Sequence, residues 1–157
     1  MKLWEGPNGE MPETGCCTSA DSEDARKVAA KLDIPYYVLD YTASFSENVI
    51  DNFVDMYSQG LTPNPCVECN RSVKFDHFID QAKKLNCEKV ATGHYAKIVK
   101  NSDSFELHKA DYLDKDQSYV LHMLDSKKLA QIEFPLGTIS KPEVRQIAAT
   151  LLSLIHI

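Results

Sequence analysis

Two prolines one residue apart constrain the fold of this chain more than any other short feature. They lie in the segment Thr62–Pro63–Asn64–Pro65, where each proline fixes its own φ angle and disfavours a helical conformation for the residue before it. We therefore expect a stiff surface loop, through which neither a helix nor a central strand can run. Two cysteines follow at CxxC spacing, Cys66 and Cys69, and an apolar pattern of helical period begins at Val73.

The cysteine pair allows several interpretations. We predict Cys69 at or near a helix N-terminus, where the helix dipole and free N–H groups favour a reactive thiolate. A structural zinc site needs two further ligands, and only Cys16, Cys17 and Cys87 remain, of which the adjacent pair is poorly spaced. A thioredoxin-like redox pair would directly follow a strand. Both thiols could also be unreactive and structural, as we expect for the other three cysteines.

The order of apolar patterns predicts an α/β protein. We expect helices at 21–32, 45–57, 73–85, 119–124 and 126–132, strands at 36–41 and 89–92, a hairpin of 96–99 and 105–110, and a last helix capped by Ser140. Alternation of helices and strands predicts a sheet that is parallel in its first part. Ligands of such sheets bind at the carboxyl ends of the strands, where Gly93 falls.

Composition excludes several classes of protein. With 157 residues, 43% of them hydrophobic and 25% charged, the chain is expected to be globular, and no apolar run approaches the length of a membrane span. A formal net charge of −6 argues against binding nucleic acid by bulk electrostatics. Lysine-rich stretches at 83–100 and 127–145 are most simply solvated faces. Five cysteines, an odd number, fit a reducing cytosol.

Two short polar segments are open to a functional or a structural interpretation. The backbone of Gly93–His94–Tyr95 could approach a nucleotide, or the segment could be a plain turn. The segment 115–118 could contact phosphates or bases, or it could cap a helix through Asp116 or Ser118. We assign no role to the remaining histidines.

Six motifs occurring in order carry a resemblance to a known family. They are Met-Lys-x-Trp at 1–4, Asp-Ala-Arg-x-Val-Ala at 24–29, Thr-Pro-Asn-Pro-Cys-x-x-Cys-Asn-Arg-x-x-Lys-Phe at 62–75, Ala-Thr-Gly-His-Tyr-Ala at 91–96, Lys-Asp-Gln-Ser-Tyr at 115–119 and Phe-Pro-Leu-Gly at 134–137. Together they resemble the tRNA-specific 2-thiouridylases over roughly residues 1–150. The resemblance implies an incomplete Rossmann-like parallel sheet of the adenine nucleotide alpha hydrolase type, with a helical extension at the C-terminus.

The resemblance also implies a reaction and its partners. In that family ATP, which Mg²⁺ is expected to accompany, adenylates the C2 oxygen of the wobble uridine of tRNA, and a persulfide sulfur displaces AMP. The implied partners are tRNA and a persulfide sulfur-donor protein, either a cysteine desulfurase or a sulfur relay protein, with no membrane. A cytoplasmic location and a disulfide bond are expected as well.

Individual residues take their expected roles from the matching motifs. Cys69 matches the catalytic nucleophile that resolves the persulfide, which suits attack through a thiolate. The family often has aspartate at the position of Cys66, so CxxC is not expected to be the functional unit. The other matches are Met1 and Gly93 for ATP, Asn64, Pro65 and Cys66 for the target base, and Lys115, Asp116 and Gln117 for tRNA.

The chain also departs from the family. It lacks the Ser-Gly-Gly-x-Asp-Ser pyrophosphate loop and the second cysteine that carries the persulfide. We expect a partial catalytic domain over 1–112, a helical tRNA-contacting segment over 113–150 and a non-family tail over 151–157, the whole being a fragment inactive on its own. The alternatives are a non-catalytic tRNA-binding α/β module and a small zinc-binding structural protein using Cys66 and Cys69.

Overall fold

A computed structural model describes residues 1–3 and 18–151. Three helical stretches open this part: α1 (Ser19–Lys31), α2 (Thr42–Phe45, π-helical Ser46–Asp51, Asn52–Ser58) and α3 (Pro65–Glu68, π-helical Cys69–His77, Phe78–Lys84). They are followed by β1 (Val90–Ala91), β2 (Ala96–Lys100), β3 (Phe105–Lys109), 3₁₀ turns at Leu113–Lys115 and Ser118–Val120, α4 (Ser126–Leu129), β4 (Ile132–Glu133) and α5 (Lys141–Thr150). Cys16, Cys17, Trp4 and residues 152–157 of the expected tail lie outside the described residues.

Capping residues define where the outer helices begin. Thr18 Oγ1 accepts the Asp21 amide at 3.1 Å, and the Asp21 carboxylate accepts the Thr18 amide at 3.0 Å. The Thr18 hydroxyl and amide thereby hold the pKa of Asp21 below its usual value. Ser140 and Glu143 form the same reciprocal arrangement at the start of α5. The predicted cap Ser140 and both predicted helices are confirmed, whereas the cap Thr18 was not predicted and α1 begins two residues earlier than expected.

The proline loop has the predicted form. Residues 61–64 have no regular structure, and α3 begins at Pro65, where a missing N–H is harmless. The Asn64 side chain accepts the amides of Cys66 and Val67 at 3.1 and 3.3 Å. Upstream, α2 ends before Gly60, whose φ of 77° is the left-handed conformation that terminates helices. The prediction of a loop between two helices is confirmed.

Parallel pairing makes this an α/β structure, as the sequence predicted. β1 pairs with β4 in parallel, with Val90 opposite Ile132. A second parallel contact joins Lys2 to Asp40 through two 2.8 Å backbone bonds. The predicted strand at 36–41 therefore contributes a single bridge rather than a ladder. The predicted hairpin is confirmed as β2 and β3, which pair antiparallel in five positions.

Two predicted helices are wrong in form. The helix expected at 126–132 ends at Leu129, and the chain then extends as β4 because Ile132, 3% exposed, is buried beside β1. The helix expected at 119–124 is a 3₁₀ turn over Ser118–Val120 followed by a bend. Leu121 and Leu124 are both buried there. Apolar residues three apart, which suggested a helix, are in this case buried by a tight turn.

The buried side chains form two clusters on either side of α3. The larger joins α3 to the strands and the C-terminal half; its members are Phe75, Ile79, Ala82, Val90, Ala96, Val120, Leu121, Leu124, Leu129, Ile132 and Phe134. The smaller, here called the cysteine cluster, contains Leu3, Tyr41, Val49, Cys69 and Val73. One helix therefore contributes to both cores.

The Phe-Pro-Leu-Gly motif is a turn packed against β2. Gly137 donates its amide to Phe134 and accepts the Asp111 amide. A Cβ at Gly137 would collide with the Ala96 carbonyl group and approach Lys97 Cγ to 2.8 Å. The position is therefore restricted to glycine by backbone packing.

We expect Gly137→Ala to lower the free energy of unfolding by about 1–3 kcal/mol, because the added methyl must displace backbone. Gly93→Ala is the matched control, since its Cβ would meet Leu136 Cδ1 at an ordinary 3.8 Å. Urea denaturation measures both changes. Equal stabilities of the two variants would contradict the close packing of Gly137.

Candidate functional site

A cavity of about 530 Å³ opens where β1 ends. We call it the strand-end cavity; its lining residues are Met1, Tyr37, Leu39, Lys74, Phe78, Ala91, Thr92, Gly93, His94 and Gln117. It brings together Met1 and Gly93, which are far apart in sequence and are the two residues that the resemblance assigns to ATP. Its volume lies within the range of small-molecule sites, about 300–1,000 Å³.

The lining of the strand-end cavity combines apolar and polar groups that are compatible with an adenine nucleotide. Met1, Leu39 and Phe78 offer apolar surface, and Thr92 and Lys74 offer polar groups. Packing within the protein does not demand a glycine at 93, because a Cβ there would have only one ordinary contact. The bare backbone at a strand's carboxyl end is instead suited to close approach of a ligand. The residues that line the cavity are therefore compatible with an adenine nucleotide.

His94 lies at this turn in a neutral form. It is 9% exposed, and its ring lies 5.9 Å from the centroids of both Phe75 and Phe134. Its Nδ1 is 2.8 Å from the Thr92 hydroxyl. Burial, together with the positive charge of Lys74, lowers the pKa of His94 to about 4. At neutral pH the imidazole is therefore uncharged.

The tRNA-contacting segment predicted at 115–117 is bonded to the same turn. The Gln117 side-chain oxygen accepts the Tyr95 amide at 3.0 Å, and the Gln117 amide donates to the Tyr95 carbonyl at 2.8 Å. Gln117 thereby reaches the strand-end cavity. Of the three predicted tRNA residues, Lys115 is the exposed one.

Asp116 is a structural acceptor, and the predicted helix cap is wrong. Its carboxylate accepts the Ala110 amide at 2.8 Å and the Ser118 hydroxyl at 2.7 Å. Burial raises the pKa of Asp116, but these hydrogen bonds outweigh it and hold the pKa below the usual value. The next 3₁₀ turn, Ser118–Val120, has Gln117 as its N-cap residue and no side-chain cap.

The two cysteines of α3 differ in exposure and position. Cys66 is exposed in the first turn, whereas Cys69 is 8% exposed and lies in the second turn, at the start of the π-helical segment. The prediction of Cys69 at the helix N-terminus is therefore displaced by one turn, because helix α3 already starts at Pro65. Met1 and Leu39 pack against the cysteine cluster and also line the strand-end cavity.

A second cavity, of about 290 Å³, lies beside the proline loop. We call it the loop cleft; it is lined by Val49, Asn52, Phe53, Met56, Pro63, Asn64, Pro65, Val67, Glu68, Tyr119 and His122. It joins Asn64 and Pro65, predicted to meet the target base, to the exposed Tyr119 that follows the predicted tRNA segment. Asn70 reinforces this junction by donating to the Val120 carbonyl at 3.2 Å.

Other predicted features find no counterpart in the described residues. Cys66, Cys69 and Cys87 form no disulfide there, so the expected disulfide bond is not formed among them. No group of three or more His, Cys, Asp or Glu side chains in residues 1–3 and 18–151 is placed to hold a metal ion, so the zinc alternative has no ligand set there. None of the described helices combines the length and apolarity of a membrane span.

The sequence analysis did not predict that Lys74 and Gln117 line the strand-end cavity. Lys74 lies within the cysteine motif and lines the strand-end cavity. Lys74 is five residues after Cys69, and residues five apart do not lie on the same face of a regular α-helix. The π-helical winding of this segment could not be predicted from the apolar pattern.

The neutral state of His94 predicts a pH dependence of stability. Below about pH 6.5 the unfolded chain binds a proton that the folded His94 rejects, so the free energy of unfolding should fall by about 2–3 kcal/mol as the pH drops toward 4. Urea denaturation between about pH 5 and 6.5 separates this effect from carboxylate titration. The dependence of the free energy of unfolding on pH should become weaker in His94→Gln and remain in the exposed control His122→Gln. An unchanged pH dependence in His94→Gln would contradict a neutral His94 in the folded protein.

Comparison with known proteins identifies a family for this chain. Residues 1–155 match the family described as "tRNA methyl transferase HUP domain". Proteins named tRNA-specific 2-thiouridylase MnmA are 47% identical in Chloroflexus aurantiacus, over 95% of this chain and 42% of that protein, and 46% identical in Geobacter metallireducens, over 94% and 42%. The corresponding protein of Clostridioides difficile is 44% identical, over 99% of this chain and 44% of its own length.

The chain thus spans about two-fifths of the length of these curated relatives. The family description names a methyl transferase, whereas the relatives are named thiouridylases, in accord with the six motifs. On the extent of the family match and the identity with these relatives, the chain belongs to the tRNA-specific 2-thiouridylase family and carries its HUP domain, a Rossmann-like α/β fold.

Proposed function

We propose that this chain supplies part of the catalytic domain of an ATP-dependent enzyme that thiolates C2 of the wobble uridine of tRNA. The observation that carries the proposal is the strand-end cavity, which gathers Met1 and Gly93 and shares two wall residues with the cluster around Cys69. ATP, when bound, would supply a leaving group at the C2 oxygen. The chain alone should be inactive, since it contains no Ser-Gly-Gly-x-Asp-Ser loop.

Residues of the cavity would hold the nucleotide by different means. Met1 offers an apolar surface for the adenine ring, and Gly93 offers backbone without a side chain. Any Mg²⁺ would accompany the phosphates, because Mg²⁺ is commonly held by substrate phosphates and few carboxylates. The described residues offer no cluster of three metal-binding side chains for it.

Cys69 is proposed as the nucleophile whose thiolate attacks the inner sulfur of the persulfide. A disulfide forms between Cys69 and the carrier cysteine, the S–S bond of the persulfide breaks, and the outer sulfur leaves with the electron pair to displace AMP from C2 of the uridine. The neighbours of Cys69 in the cysteine cluster, which include Leu3, Tyr41 and Val73, leave the residue only 8% exposed. A buried sulfur is protected from adventitious oxidation, because susceptibility follows exposure. We propose that the persulfide enters from the side of the strand-end cavity, whose wall residues Met1 and Leu39 pack against the cysteine cluster. A persulfide sulfur-donor protein remains part of this proposal.

The loop cleft supports the proposed contact with tRNA. Asn64 uses its side-chain oxygen to cap α3, which leaves its NH₂ group for a base edge. Exposed aromatic rings such as Tyr119 stack on unpaired RNA bases. Lys115 is exposed four residues before Tyr119 and suits a backbone phosphate. Asp116 and Gln117 would act by holding this segment in place.

The experiment uses a chimera in which residues 1–150 replace the matching residues of the Chloroflexus aurantiacus relative. We expect the chimera to form 2-thiouridine in tRNA, measured by mass spectrometry, and Cys69→Ser to reduce the rate by at least about a thousandfold. Cys87→Ser, at an exposed cysteine that is expected to be structural, is the control and should retain activity. Circular dichroism verifies folding of each variant.

Two results would contradict the proposal. Loss of activity in a Cys66→Ser variant of the chimera, with activity retained in Cys69→Ser, would exchange the roles of the two thiols. An inactive chimera that still folds and binds tRNA would favour the alternative of a non-catalytic tRNA-binding module.

A further inference from the structure

Lys74 occupies an unusual position in the strand-end cavity. Of the described residues that line the cavity, Lys74 alone carries a charged side chain. It is half-buried and lies on α3, the helix that also carries Cys69. Its positive charge contributes to the lowered pKa of His94, which also lines the cavity.

The charge of Lys74 is not neutralised by the described residues. The neighbouring Asp76 pairs instead with Lys128, at 2.5 Å between Oδ1 and Nζ. Within the described part of the chain no carboxylate lies within ion-pair distance of Lys74 Nζ, although Lys83, Lys89 and Lys97 all have such partners. Partial burial of a cation without an anion is unfavourable, so an anionic ligand would remove a penalty as well as add an attraction.

We propose that Lys74 binds a phosphate group of the nucleotide in the strand-end cavity. The inference rests on the proposed function, which places ATP there, and adds a phosphate-binding side chain to Met1 and Gly93. A lysine ammonium group is a flexible point charge with three donors, which suits phosphate oxygens. Because His94 is neutral, Lys74 supplies the positive charge among the described lining side chains.

Equilibrium titrations of the 157-residue chain with ATP, AMP and adenosine, followed by NMR, test this inference. Lys74→Gln should weaken ATP and AMP binding about ten- to hundredfold, because a charge-assisted hydrogen bond is lost. Adenosine, which has no phosphate, should bind the variant as it binds the wild type. Lys74→Arg should retain most of the affinity, and Lys84→Gln, an exposed lysine of the same helix outside the cavity lining, should bind like wild type.

A second readout is independent of any ligand. Removing the charge in Lys74→Gln should raise the pKa of His94 above about 4, observable in the imidazole resonances, whereas Lys84→Gln should leave it unchanged. The same resonances show whether the variant remains folded. An unaltered His94 pKa in a folded Lys74→Gln protein would contradict the placement of the lysine beside the cavity.

The outcomes distinguish the inference from the function on which it rests. Wild-type ATP affinity in Lys74→Gln would overturn the inference and leave the nucleotide site intact. Loss of affinity for an anticodon stem-loop RNA, with nucleotide affinity unchanged, would assign the lysine to an RNA phosphate and would also overturn it. If the wild type binds neither ATP nor adenosine, the proposed nucleotide site itself fails, and the inference fails with it.

Discussion

Burial of helix α3 on two opposite faces is the constraint on which the rest of the structure depends. Val73 and Phe75 are both fully buried, yet they belong to different clusters. Residues two apart project to nearly opposite sides of a helix axis, in π-helical as in α-helical winding, so the helix must lie between two cores. The side chains between these faces, including Lys74, are then directed along the seam, where the strand-end cavity opens. Position of the site is therefore a result of core packing.

Local chemistry made parts of this fold predictable from sequence. Pro63 and Pro65 determine the loop, Ser140 with Pro142 determines the start of α5, and the alternating patterns around 101–104 determine the hairpin. Each of these depends on residues within a few positions of one another. β4 could not be predicted in this way, because two residues become a strand only through pairing with β1, some forty residues earlier in the chain.

In the candidate site, too, the sequence predicted local features but not the contacts between distant segments. The motifs supplied Met1, Gly93 and Cys69, but no pattern in the sequence placed Met1 beside Gly93 or brought Leu39 to both the cavity and the cysteine cluster. These are tertiary contacts between distant segments. Burial of Cys69 could not be deduced either, because CxxC spacing is the same in exposed and buried pairs. The predicted roles of Asn64, Pro65, Cys66 and Lys115 remain proposals.

The paired bonds between Gln117 and Tyr95 have a thermodynamic consequence. They join the segment next to Lys115 to the backbone turn that borders the strand-end cavity, so neither can shift without breaking or carrying along the other. Two ligands that order the same rigid unit each reduce the entropy that the other must lose. For ligands that both order this unit, occupancy at one end strengthens occupancy at the other by the same factor in both directions. The turn after β1 would then act as a reciprocal link between a small molecule and a large one.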